Sequence, residues 1–143
     1  MFHHILVPTD ASDRSRNALE IAAHMLGYRT ADEEVGKITL LHVIQTVVGD
    51  EALEFQTFYD ELKAQARRNM ESLRGQVSSS VPVHQEIVLG HRVREILRFI
   101  SDNAVDLTIL SSHKVDPDNP VEGWGTISHK VGILAPCPVM LVK

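Results

Sequence analysis

The strongest constraint on the fold is the alternation of short apolar runs with longer segments of helical periodicity. The runs at residues 5–7, 38–44, 107–110 and 139–142 are largely apolar, as is typical of buried strands, and residues 81–89 alternate loosely between apolar and polar. The segments between them place apolar residues at helical spacing and cover residues 18–27, 50–75, 93–100 and 126–134. This alternation predicts an α/β fold, a three-layer sandwich in which helices cover both faces of a five-stranded parallel sheet.

Chain length and charge limit the domain count and the class of partner. A chain of 143 residues is about the size of one domain, so we expect residues 1–143 to form a single one. The net charge of -5 disfavours a nucleic-acid-binding protein, which would need a basic face to displace counterions. The single cysteine, Cys137, has no partner for an internal disulfide, which suits a reducing compartment. Because we find no signal-peptide pattern and no run of about 20 apolar residues, we expect a cytoplasmic protein without a membrane segment.

A ligand crevice is expected where the strand order of an open parallel sheet reverses, beyond the carboxyl ends of the strands. If the order is 3-2-1-4-5, this crevice lies between the first and fourth strands. Three polar segments then meet there, namely residues 8–10, 111–113 and 125–126.

Two of these segments carry candidate ligand-binding groups. Gly125 and Thr126 open the last predicted helix, whose unpaired amide groups attract anions. Alternatively, Gly125 is a turn residue and Thr126 only caps the helix. Asp10 can accept hydrogen bonds from ribose hydroxyls, cap the first helix, or do both, because a carboxylate has several acceptor sites.

Motifs along the whole chain resemble those of the universal stress protein family. The opening Ile5-Leu-Val-Pro-Thr-Asp-x-Ser12 is similar to that family's first strand and turn. The most specific match is Gly125-Thr-Ile-Ser-x-Lys-Val131 followed by Ala135-Pro-Cys-Pro-Val139. The resemblance implies the order 3-2-1-4-5 and a fold of the adenine nucleotide alpha hydrolase-like type. It also implies homodimers that pair through strand five, Val139–Val142.

The same resemblance implies an ATP site. Many members of that family bind ATP through Gly-x-x-Gly, nine further residues and Gly-Ser/Thr. By matching positions, Asp10 would meet the ribose and the backbone of Val43 would meet the adenine. The phosphates would lie among five residues: Ser112, His113, Gly125, Thr126 and Ile127. Adjoining residues complete the predicted binding set: Pro8, Thr9, Leu110, Ser111 and Lys114.

The phosphate motif is degenerate, since Ser111 and Lys114 replace its first two glycines and the spacer before Gly125 has ten residues. Ser111 is a modest obstacle to ribose unless its position requires a positive φ. Lys114 can pair with a phosphate or fill the phosphate site. From Lys114 to Glu122 one lysine stands against three acids, +1 - 3 = -2, which argues against a bare triphosphate. Bound Mg²⁺ would reverse this local negative charge. If the acids instead point into water, their charge would not oppose a bound triphosphate.

We therefore predict an ATP-binding stress-response regulator whose protein partners are unknown. The alternative is a nucleotide-free interaction protein that uses the same dimer. The sequence has no nucleophile elbow and no Walker A pattern, so we expect no dedicated enzyme, and slow ATP hydrolysis is compatible with this reading. No metal site is predicted, because His3 and His4 point to opposite faces of a strand and no histidine pair has helical zinc-site spacing.

Overall fold

The computed structural model describes residues 2–47, 55–112, 118 and 127–143. Its strands are β1 His4–Pro8, β2 Lys37–Gln45, β3 Val83–Gly90, β4 Leu107–Ser111 and β5 Val139–Val142. They form one five-stranded sheet in the order β3-β2-β1-β4-β5, and every neighbouring pair is parallel. The predicted α/β class and strand order are confirmed.

Four α-helices lie within the described ranges: α1 Arg16–Gly27, α2 Gln56–Gln76, α3 Arg92–Asp102 and α4 Ile127–Leu134. Helices α1 and α2 pack on one face of the sheet, in a core that includes Leu19 and Met70. Helices α3 and α4 pack on the other face, in a core that includes Ile96 and Val131. The predicted three layers are therefore present. None of the described helices has the length and apolar character needed to cross a membrane.

The central strand β1 is buried along its whole length. Ile5 and Val7 belong to one core and Leu6 to the other, because successive side chains of a strand point to opposite faces. Complete burial of each such side chain contributes about 1.5–3 kcal/mol. A strand buried on both faces needs a continuous apolar run, which is the pattern found at residues 5–7.

Several boundaries differ from the prediction by one or two residues, and two of these shifts occur at β3 and α2. Strand β3 begins at Val83 rather than at residue 81, because Pro82 has no N–H for a strand ladder and only its carbonyl oxygen pairs, accepting from the Ile38 amide at 2.9 Å. Helix α2 runs one residue past the predicted stop at Gly75, to Gln76, and within the described residues it begins at Gln56. The predicted start of this helix, at Asp50, falls outside the described residues.

A buried histidine joins the amino end of β1 to β2 and to the carboxyl end of α3. His4 is only 4% exposed, and its Nδ1 donates to the Asn103 carbonyl oxygen at 3.0 Å, since a carbonyl can only accept. Its Nε2 then accepts from the Thr39 hydroxyl at 2.8 Å. Burial is the main reason that the pKa of His4 lies below its ordinary value. The folded chain thus holds His4 as the neutral imidazole.

This pKa shift predicts a loss of stability in weak acid. A lowered folded-state pKa contributes stability above the unfolded-state pKa of about 6.5, and that contribution disappears as the pH falls through the folded-state pKa. Substitution His4→Gln should therefore give a free energy of unfolding that declines less steeply between pH 8 and pH 5. Urea unfolding across this range measures the slope. Parallel curves for His4→Gln and wild type would contradict the assignment.

Candidate functional site

A cavity of about 670 Å³ opens at the carboxyl edge of the sheet, where β1 lies between β2 and β4. Its volume falls within the roughly 300–1,000 Å³ of small-molecule sites. All eight predicted site residues that the structure describes line this cavity: Pro8, Thr9, Asp10, Val43, Leu110, Ser111, Ser112 and Ile127. The other four, His113, Lys114, Gly125 and Thr126, lie outside the described residues. The predicted crevice between the first and fourth strands is therefore present.

Thr9, the residue that follows β1, is bonded to β2 through both its backbone amide and its carbonyl oxygen. The Thr9 amide donates to the Leu41 carbonyl oxygen at 2.8 Å, and the Thr9 carbonyl oxygen accepts from Nδ1 of His42 at 2.8 Å. Because the carbonyl can only accept, the proton lies on Nδ1 of His42. His42 thereby positions the start of the turn that carries Asp10 into the cavity wall.

The turn after β1 is an Asx turn centred on Asp10. Oδ1 of Asp10 accepts hydrogen bonds from the amide of Ser12, at 2.9 Å, and from the Ser12 hydroxyl. The Thr9 hydroxyl oxygen accepts from the Ala11 amide at 2.9 Å, and Ala11 has a φ of 63°. These bonds hold a non-glycine residue in the left-handed region, which ordinarily costs about 1–2 kcal/mol.

The capping role considered for Asp10 belongs instead to Ser12. The Ser12 hydroxyl oxygen accepts from the Arg14 amide at 3.3 Å and so caps the 3₁₀ turn Asp13–Ser15 that precedes α1. Asp10 acts one step earlier, by orienting Ser12. Burial alone would raise the pKa of Asp10, but the hydrogen bonds from Ser12 and the charge of Arg14 outweigh it, so the pKa lies below its ordinary value. The carboxylate is therefore charged at neutral pH.

Ser111 fits its position without backbone strain. Ala11 and Ala104 are the non-glycine residues with positive φ in the described part of the chain, so the position of Ser111 does not require glycine. The Ser111 hydroxyl donates to the carbonyl oxygen of Arg14 at 2.8 Å, which ties the end of β4 to the segment before α1. The next residue, Ser112, donates its amide to the Val142 carbonyl oxygen at 2.8 Å. The serine that replaces the first motif glycine is thus a structural part of the cavity wall.

Sequence reasoning missed several residues that line the cavity, among them Arg14, Leu41, His42, Arg92, Ile96 and Lys143. A signal was available for two of them, because Leu41 and His42 directly precede Val43 in the same predicted strand, residues 38–44. Arg92 is the first residue of α3, directly after the predicted Gly90-His91 turn. Arg14 and Lys143 carried no pattern, since a charged residue near a strand end or helix start is ordinarily solvated.

The described residues of the cavity wall offer few ligands to a divalent cation. Asp10 is the one acidic residue among the described residues that line the cavity. No group of three histidine, cysteine, aspartate or glutamate residues suited to a metal ion occurs in the described ranges. Magnesium in proteins takes oxygen ligands, usually one or two carboxylates plus the phosphates of a substrate. The described wall therefore offers Mg²⁺ one carboxylate, that of Asp10, and the loop acids Asp116 and Glu122 lie outside the described residues.

The chain is similar to known proteins over its full length. A family model described as the universal stress protein family matches residues 1–143. The universal stress protein YxiE of Bacillus subtilis (strain 168) is 27% identical over 154 residues, which span 100% of both chains. The solved structure of the hypothetical protein MJ0577 is 29% identical, with a TM-score of 0.77 over 100% of this chain and 96% of that one.

Two more distant structures share the fold and contain adenine nucleotides. A universal stress protein family protein from Arabidopsis thaliana, solved with AMP bound, is 20% identical, with a TM-score of 0.66 over 99% of this chain and 91% of that one. A universal stress protein in complex with cAMP is 16% identical, with a TM-score of 0.63 over 99% and 96%. At these identities the likeness is one of fold.

The hydrogen bonds around Asp10 predict how its titration responds to mutation. Substitution Ser12→Ala removes the hydroxyl that contributes most to lowering the pKa of Asp10, so that pKa should rise toward or above its ordinary value. Substitution Ser12→Thr keeps the hydroxyl and should keep the low pKa. Carboxyl ¹³C NMR titration of Asp10 measures both. An unchanged Asp10 pKa in Ser12→Ala would show that the turn is organised by other contacts.

Proposed function

This chain belongs to the universal stress protein family, and we propose that it is a member that binds ATP and acts as a stress-response regulator. The observation that carries the proposal is the common location of the predicted ribose, adenine and phosphate segments. Asp10, Val43 and Ser112 are far apart in the sequence, and all three line one cavity at the strand-order reversal. The AMP-bound and cAMP-bound relatives support an adenine nucleotide as the ligand class.

The chemistry of the wall suits the parts of a nucleotide. Apolar side chains of Leu41, Val43, Ile96 and Ile127 offer a surface for the base. The charged carboxylate of Asp10 uses Oδ1 for Ser12, which leaves Oδ2 to accept from ribose hydroxyls. The alcohol groups of Ser112 and Ser128 lie 3.4 Å apart on the side where the phosphates are expected. In this proposal ATP acts as an effector that biases the conformation or contacts of the protein, and no dedicated catalysis is assigned.

Calorimetry on nucleotide-free protein tests the proposal. We expect ATP to bind, and we expect Asp10→Asn to weaken binding about tenfold, because a hydrogen bond to a charged acceptor is worth roughly 1.5–3 kcal/mol. Asparagine retains an oxygen for Ser12, so the turn should persist. The matched control is Asp13→Asn, which removes an exposed carboxylate from the same segment but outside the cavity and should leave affinity unchanged. No heat and no thermal shift at millimolar ATP would leave the nucleotide-free interaction protein as the function.

We further propose that two copies pair through β5. This strand pairs with β4 on one side and is an edge of the sheet that the structure describes. Beside that edge Ile133, Leu134 and Leu141 are 69%, 59% and 40% exposed. Long uncovered edges and apolar side chains favour association, and a second copy would bury both.

Sedimentation measurements at micromolar concentration test this pairing. Wild type should sediment as a dimer. Substitution Leu141→Lys should raise the dissociation constant of the dimer about tenfold or more, because a lysine on the edge opposes strand pairing. Val35→Lys places the same charge on an exposed apolar residue of a distant loop and should remain dimeric. A monomeric wild-type chain at this concentration would contradict the proposal.

A further inference from the structure

The part of the cavity wall that the structure describes is basic although the chain is acidic. Among its residues three are basic, Arg14 before α1, Arg92 at the start of α3 and Lys143 after β5, and one, Asp10, is acidic. The whole chain has 19 acidic and 14 basic residues, so a surface patch of average composition would carry more acidic than basic residues. The side-chain charge of the described wall is 3 - 1 = +2, with His42 taken as neutral.

The two arginines of the wall are not committed to salt bridges. Within the described ranges the ion pairs closer than 4 Å are Arg16–Glu20 and Arg98–Glu95, both of which lie on helix surfaces. Arg14 is near enough to stabilise the Asp10 carboxylate without forming such a pair. The amide of Arg92 is anchored to the Gln45 side chain at 3.1 Å, which fixes the start of α3 beside the cavity. Its guanidinium makes no ion pair with the residues that the structure describes. Both cations are therefore available to an anion.

These charges give the described wall a source of positive charge other than a metal ion. The acids counted from Lys114 to Glu122 argue against a bare triphosphate, and the described wall offers a single carboxylate, Asp10, to Mg²⁺. Two of the three positive charges of the described wall come from guanidinium groups, which bind phosphate oxygens in bidentate geometry.

We propose that Arg14 and Arg92 make the cavity selective for the number of phosphate charges on an adenine nucleotide, with no requirement for a divalent cation. The proposal rests on the proposed function and specifies its ligand: free ATP is preferred to ADP, ADP to AMP, and AMP to adenosine. Because the arginines are exposed, each should contribute on the order of two- to fivefold in affinity, and salt should screen the effect.

Calorimetry with adenosine, AMP, ADP and ATP on the nucleotide-free chain in EDTA tests this selectivity. Affinity should rise from adenosine to ATP. Because salt screens exposed charges, this rise should become smaller when the salt concentration increases from about 50 mM to about 500 mM. Addition of Mg²⁺ should not strengthen ATP binding. Arg14→Gln and Arg92→Gln should each weaken ATP binding two- to fivefold, and each should weaken adenosine binding less. The matched control is Arg94→Gln, which removes the same charge from the first turn of α3 at a residue that does not line the cavity.

The outcomes separate this inference from the proposed function. Equal affinity for adenosine and ATP in EDTA, or ATP binding that appears only with Mg²⁺, would overturn the inference while leaving nucleotide binding intact. Loss of ATP affinity in Arg94→Gln as large as in Arg92→Gln would also overturn it, because the effect would then be one of net charge. Absence of binding by all four ligands would overturn the proposed function, and the inference with it.

Discussion

The parallel pairing of β1 with β2 on one side and β4 on the other is the constraint on which the cavity depends. These pairings bring the carboxyl ends of three strands to one edge, with Val7 beside Leu40 and Leu6 beside Thr108. The helices that follow β1 and β2 leave toward one face of the sheet, whereas those that follow β3 and β4 cover the other. A gap between the first and fourth strands follows from this divergence. The burial of β1 on both faces keeps the gap at a fixed place.

The polar contacts around the cavity serve the fold and the site together. The bond from His42 to the Thr9 carbonyl joins β2 to the turn after β1, and the bond from Ser111 to the Arg14 carbonyl joins β4 to the segment before α1. Each bond joins two segments that line the cavity and so fixes their relative position. The geometry of the wall is thus set before any ligand arrives, which reduces the ordering that a ligand would have to impose.

Much of the fold was predictable because burial leaves a periodic pattern, and strands and helices differ in period. The order of the strands was not a consequence of periodicity, and it came from the family resemblance. The position of the eight described residues beside the cavity was predictable once that order was given, because the topology brings the carboxyl ends of β1, β2 and β4 and the start of α4 together. The roles of Ser12 and Arg14 were not, because a cap or a wall charge depends on side-chain direction, and several rotamers are compatible with the same sequence pattern. The start of β3 at Val83 was readable only through the missing amide of Pro82.

The bond between the Ser111 hydroxyl and the Arg14 carbonyl bears on how members of this family are sorted by their glycines. A search by motif letters would group this chain with proteins that have lost a nucleotide site, since serine stands where glycine is usual. The backbone at Ser111 does not need glycine, and its side chain fastens the end of β4 to the segment before α1. Backbone conformation is therefore a better criterion than residue identity at that position. Family members that lack the motif glycine should be classified again by the φ angle of the residue that replaces it.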